Sequence, residues 1–154
     1  MSRGKAMIIA INKDEPWWEK TRAFAKDCPW QPGRRLAERM SKNDFLDWEK
    51  VFVAVHGEDV VGFCVLEENG NIPPKFNCSP FINLVYVSEK FRGERLSKSL
   101  IDAALDYAQR LGYKKVYLKS EHHGLYEKYG FKKIADFEPT VGLANQLFEI
   151  KISI

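Results

Sequence analysis

Leu84-Val85-Tyr86-Val87-Ser88-Glu89-Lys90-Phe91-Arg92-Gly93-Glu94-Arg95-Leu96-Ser97 is the stretch on which the fold turns. The apolar run Phe81–Val87 predicts a buried strand. A short polar turn follows. From Glu94 to Leu111 the period becomes helical: Leu96, Leu100, Ala104, Tyr107 and Leu111 share one face, and Gly112 supplies the stop. A strand, a tight turn and a helix start leave several backbone N–H groups unpaired at one point, where the helix macrodipole adds partial positive charge. Phosphate groups bind well at such a point. Gly93 lets the backbone come close to a ligand, and Arg92 and Arg95 add charge-assisted donors. An ordinary connection with solvated arginines fits the same residues, so a second signal is needed.

Working outward, Met7–Ile11 is β-branched and predicts a first strand. Pro16 opens a helix over Trp17–Lys26, and Cys28–Gly33 is a breaker cluster. A second helix is expected over Arg34–Met40 and a third, short one over Asn43–Glu49. Val51–Val55 and Val60–Leu66 are two strand-like runs joined by His56-Gly57-Glu58-Asp59 and predict a hairpin. Asn69–Pro80 reads as a loop. Beyond the long helix come a strand at Val116–Lys119, a short helix at Gly124–Tyr129 ending on Gly130, and two closing strands, Phe131–Phe137 and Leu147–Ile152. The expected order is β-α-α-β-β-β-α-β-α-β-β. It implies an α+β fold, with a mixed, mostly antiparallel central sheet and helices on both faces.

The 154 residues suit one domain, taken as 1–154. Apolar residues make up 45% and charged residues 29%, a globular balance. The formal net charge of +3 is not gathered into a basic stripe with interleaved aromatics, which argues against a nucleic-acid reader. No apolar run approaches the roughly 18–20 residues of a membrane span, and Ala6–Ile11 is too short for a signal-peptide core. Cys28, Cys64 and Cys78 are odd in number and have no CxxC spacing. They imply neither a disulfide framework nor a zinc site, and they suit free thiols in a reducing cytoplasm.

The second signal is Gly124-Leu125-Tyr126-Glu127-Lys128-Tyr129-Gly130-Phe131, some thirty residues after the first. Together, Val-x-x-x-Phe-Arg-Gly-x-x-x-Ser and Leu-Tyr-Glu-Lys-x-Gly-Phe, with one helix and one strand between them, resemble the GNAT superfamily of N-acetyltransferases. The resemblance runs from about Val51 to the C-terminus. It implies acetyl-CoA as co-substrate and transfer of its acetyl group to a primary amine by direct attack in a ternary complex. It also implies a sheet splayed between the strand ending near Val87 and the one starting near Val116. The pantetheine arm would enter that gap against the backbone of Val85, Tyr86 and Val87. The same amides could stabilise developing oxyanion charge. The family's phosphate signature, (Gln/Arg)-x-x-Gly-x-(Gly/Ala), corresponds here to Arg92-Gly93-Glu94-Arg95-Leu96-Ser97. Arg92 matches it. Arg95 stands where glycine is usual and Ser97 where glycine or alanine is usual. That departure leaves a non-catalytic acyl-CoA-binding module as the alternative.

By the same resemblance, Tyr126 would protonate the departing thiolate. Taken alone, it reads equally as a core tyrosine. A general base is required to free the attacking amine, and the residue types offer Glu67, Glu68, Glu121, His122 and His123. His122 has a suitable ordinary pKa, although a solvated loop accounts for both histidines. The adjacent pair is not a metal site. Trp17, Trp18 and Trp30 either line an acceptor cleft or pack helices. The acceptor, a small molecule or a peptide amine, is not written in the chain. Family analogy allows a homodimer, with no feature of its own in the sequence.

Overall fold

The computed structural model describes residues 6–139 and 142–152; the charged N-terminal residues 1–5 lie outside them. The elements are β1 (Met7–Ile11), α1 (Pro16–Lys26), α2 (Gln31–Lys42), β2 (Lys50–His56), β3 (Asp59–Glu67), β4 (Phe81–Val87), α3 (Leu96–Arg110), β5 (Lys115–Ser120), β6 (Lys132–Asp136) and β7 (Gln146–Lys151). Seven strands form one sheet in the order β1-β2-β3-β4-β5-β7-β6. Every neighbouring pair is antiparallel except β4 with β5.

Alternation along β2 and β3 sends side chains to two cores. Val51, Val53, Phe63 and Val65 pack with Leu36 and Met40 under α1 and α2. Phe52, Ala54, Cys64 and Leu66 pack with Leu100, Ile101 and Ala104 of α3 on the opposite face. Burying each large apolar side chain contributes about 1.5–3 kcal/mol, and the two cores fix the helices on either side of the sheet. Between β3 and β4 the chains approach closely. A Cβ on Gly62 would stand 2.8 Å from the Tyr86 carbonyl oxygen, so only glycine fits there.

The expected strands, hairpin and helix pair are present with shifted ends. α2 begins inside the predicted breaker cluster, because Pro32 is tolerated in a helix's first turn. The helix expected over Asn43–Glu49 is absent. Asn43 takes left-handed φ 50° and caps α2. The Leu46 amide then donates to Glu49 Oε1 at 2.7 Å, which holds the segment as a turn. The helix expected over Gly124–Tyr129 reduces to a single 3₁₀ turn at Glu127–Tyr129, closed by Gly130 at φ 97°. On α3, Leu96, Leu100 and Ala104 are buried as predicted, but Leu111 lies beyond the last turn and is 41% exposed.

Candidate functional site

The parallel neighbours β4 and β5 pair at one register position, Phe81 with Tyr117, and then part. The cause is local to β4. Opposite β3, Tyr86 faces Phe63 and Asn83 faces Val65, so Leu84 and Val85 together oppose Cys64. Leu84 takes φ 57°, rare for a branched side chain. This bulge bends β4 away from β5. The Ser88 amide bonds the Val61 carbonyl at 2.8 Å on the β3 side. Antiparallel alternation then turns the Val85 and Val87 backbone groups to the other side, into the gap. Such groups need partners.

A cleft of about 1280 Å³ fills this gap and continues past the start of α3. Val85, Tyr86, Val87, Arg92, Gly93, Arg95, Leu96 and Ser97 all line it, as do Glu67, His122 and Tyr126. Of the residues expected to hold a phosphate or pantetheine group, Glu94 alone is not among the lining.

At the mouth of the cleft the turn has two left-handed residues. Gly93 has φ 88°, and a Cβ there would meet no atom within 4 Å, so its backbone rather than crowding demands glycine. Arg95, at the N-cap of α3, has φ 60° and ψ 25°. That is the conformation glycine adopts without cost, which explains why glycine is usual at this place. The arginine adopts it with strain, and its exposed side chain stands at the cleft wall. Arg92 Nε donates to the Val87 carbonyl at 3.0 Å, and its guanidinium lies 5.7 Å from the Tyr86 ring centre. Ser97 Oγ and the Tyr129 hydroxyl share a hydrogen bond of 3.0 Å.

Tyr126 is 8% exposed and packs against Tyr129, Phe131 and Phe148. Burial, reinforced by Tyr129 and Glu121, pushes its phenol up to about 12. It is therefore both a core tyrosine and a cleft-lining one. Glu67 ends β3 on the α2 side of the gap. Arg39 Nη1 donates to its Oε1 at 2.7 Å and Asn83 Nδ2 to its Oε2 at 3.0 Å. Burial raises its pKa, against the opposing pull of Arg39 and Asn83. Glu121 and His122 line the cleft near Tyr126, and Gln146 Nε2 holds the His122 carbonyl at 3.0 Å. Glu68 and His123 are exposed and do not line it.

Of the tryptophans, Trp30 lines the cleft and stacks on Tyr86, with ring centres 5.7 Å apart and planes 11° from parallel. Trp18 instead donates to the Met40 carbonyl at 3.3 Å and packs the helices. The sequence reading missed Arg35, Arg39, Asn83 and Lys119, all of which line the cleft. Two signals were available: Arg35 and Arg39 are one helical turn apart, and Asn83 is a polar interruption in a buried strand.

Comparison with known proteins agrees with this geometry. Residues 13–131 match the family model described as Acetyltransferase (GNAT) family. No curated protein sequence matches the chain. Among solved structures, aminoglycoside 6'-acetyltransferase type Ii aligns with TM-score 0.75 at 16% identity, covering 96% of this chain and 98% of that one. The GNAT family N-acetyltransferase YhbS from Escherichia coli, in complex with CoA, aligns with TM-score 0.68 at 19% identity, covering 97% and 82%. An acetyltransferase of GNAT family from Staphylococcus aureus Mu50 aligns with TM-score 0.63 at 14% identity, covering 96% and 100%. Identities this low speak to the fold, whereas the family match spans most of the sequence, and the chain belongs to the GNAT acetyltransferase family.

Proposed function

We propose that this protein transfers the acetyl group of acetyl-CoA to a primary amine by direct attack within a ternary complex. The observation that carries the reading is the parting of β4 from β5 after the Phe81–Tyr117 pair, with the Val85 and Val87 backbone turned into the opening. The residues fit coenzyme A on that ground: the strand groups turned into the gap, of which Arg92 already holds the Val87 carbonyl, suit the amides of a pantetheine arm, and the turn Arg92–Ser97 offers backbone N–H groups and two guanidinium groups to a diphosphate. When bound, acetyl-CoA supplies an activated thioester.

The chain's own residues would do the rest. The amides lining the gap donate to the thioester carbonyl and stabilise charge that develops on its oxygen. Tyr126, kept neutral by burial, donates its hydroxyl proton or a hydrogen bond to the leaving sulfur. Glu67 accepts the proton that the amine must lose, directly or through a water molecule, while Arg39 and Asn83 hold its carboxylate in place. His122, which also lines the cleft, is the competing base. The free thiols of Cys28, Cys64 and Cys78 support a reducing cytoplasm as its location.

Arg95 favours a second reading. A strained arginine at the glycine position of the phosphate turn would suit a domain that binds acyl-CoA as a regulator or partner without turnover. Thiol release from acetyl-CoA across a broad amine panel separates the two. Amine-dependent release that falls in Tyr126→Phe supports catalysis. Tight acetyl-CoA binding with no release for any amine supports the module, and absence of binding removes both.

A further inference from the structure

The α2 side of the cleft has an imbalance of charge. Arg35 and Arg39 of α2 and Lys119 of β5 face it, whereas the two carboxylates lining the whole cleft are Glu67 and Glu121. Glu121 sits beside Tyr126. Glu67 has Arg39 on one oxygen and Asn83 on the other. The charge of Arg39 is thus matched, and Glu49 lies 3.8 Å from it as well. Arg35 and Lys119 are two further cations on this wall; Lys119 feels the charges of both Glu67 and Arg35, and its Nζ donates to the Asn71 carbonyl at 3.5 Å. Burial lowers the lysine's pKa, Glu67 pulls the other way, and Arg35 adds a smaller lowering. Among the described residues Glu67 is the one cleft-lining carboxylate on this side against three cations, so the wall keeps an excess of positive charge that a ligand anion would offset.

Their position matters. Lys119 follows Tyr117 on the same face of β5, and Asn83 follows Phe81 on β4, so the cluster sits just past the single β4–β5 pair. That is the closed end of the gap, on the α2 side, away from the phosphate turn at the start of α3. An anion held there cannot be the diphosphate of the nucleotide.

We propose that the acceptor amine carries a carboxylate, as an amino acid does, and that Arg35 and Lys119 hold this carboxylate while the amine lies towards Glu67. The inference rests on the acetyl-transfer reading for the identity of the reacting group, but the anion site stands on its own residues. Polycationic amines would meet two repelling charges and be disfavoured.

The test compares N-acetylated amino acids with their carboxamides, binding to the full-length protein in the presence of CoA, across small, aromatic and acidic side chains. Titration calorimetry is the readout. The carboxylate forms should bind tighter by about tenfold or more, the scale of one charge-assisted hydrogen bond. Arg35→Gln, on an exposed helix face, and Lys119→Gln should each bring that preference towards parity. Equal binding of the carboxamides, an undiminished preference in both variants, or binding of no member of the panel overturns the proposal. A parallel assay follows thiol release with the free amines. Carboxylate-selective binding without thiol release leaves the anion site standing and sinks acetyl transfer. Release only to neutral or polycationic amines does the reverse.

Discussion

Arg92 Nε bonds the Val87 carbonyl at 3.0 Å, so the side chain that opens the phosphate turn also closes the end of the strand before it. One guanidinium links the two places where coenzyme A would be gripped, the diphosphate and the pantetheine arm. Its remaining N–H groups would be free to meet a phosphate.

Arg92→Ala should therefore weaken CoA more than a pantetheine fragment lacking the nucleotide. About tenfold for CoA is expected, from loss of a charge-assisted contact. The fragment should lose a smaller factor, from loosening of Val87. Equal losses by calorimetry would mean that Arg92 serves the strand alone.

Arg95→Gly should stabilise the free protein. Left-handed φ costs a residue with a Cβ roughly 1–2 kcal/mol, and glycine's extra unfolded-state entropy returns about 0.5–1 kcal/mol of that. The net gain of up to about 1 kcal/mol corresponds to a rise in Tm of about 2–4 °C at this chain length. Arg95→Val, β-branched at the same φ of 60°, should lower Tm instead. Thermal unfolding without ligand reads both, and a fall with glycine would show that the arginine side chain stabilises the turn by its own contacts.

Gly62→Ala should damage the site from beneath. The new Cβ would meet the Tyr86 carbonyl oxygen at 2.8 Å, a backbone atom that cannot swing aside. β3 and β4 must separate slightly, which costs about 1–3 kcal/mol and shifts the bulge that opens the gap. Both Tm and CoA affinity should fall together. Unchanged CoA affinity with a lowered Tm would uncouple the bulge from the binding gap.

Much of this was legible in the sequence, and the limits have physical causes. Strand and helix positions followed from apolar periodicity, because one-sided burial imprints it directly. The parting of β4 from β5 was reachable only through the resemblance to a family. Its local cause, Leu84 at φ 57°, is invisible in residue type, since leucine carries no mark of left-handed backbone. The turn at Asn43–Glu49 was misread because Glu49 satisfies the Leu46 amide with its side chain, a contact that periodicity does not encode. Arg35, Arg39, Asn83 and Lys119 come from three elements far apart in the chain. Only the sheet order brings them to one wall.

Tyr126→Phe removes the hydroxyl and keeps the ring that packs on Phe131 and Phe148. We expect kcat for acetyl transfer to fall by about 100-fold, the lower end of the range for losing a positioned acid, with acetyl-CoA affinity nearly unchanged. The pH behaviour has a definite sign. The folded phenol, pushed up to about 12 by burial, stands above its ordinary value of 10.0. Its neutral form thus contributes stability that is complete below pH 10 and is lost as pH rises towards 12. The variant should resist alkaline unfolding better than the parent across that window. Unaltered kcat would remove Tyr126 from the mechanism.

Glu67→Gln tests the base and the frame at once. Burial raises the carboxyl's pKa, so as a general base it should give kcat/KM an acidic limb above the ordinary carboxylate range of about 4.3. Below that limb the carboxyl is protonated and the amine keeps its proton; above it the rate levels off. Glutamine should abolish the limb and lower the plateau. Removing a buried partner can cost about 3–5 kcal/mol, but Arg39 keeps a carbonyl contact with Asp44 at 3.2 Å and has Glu49 nearby, and its side chain is 26% exposed. The stability loss should therefore stay near about 1 kcal/mol, the scale of a hydrogen bond traded for a weaker one. A variant that folds, binds CoA and retains the limb would transfer the base to His122, which also lines the cleft, and His122→Ala would then remove it.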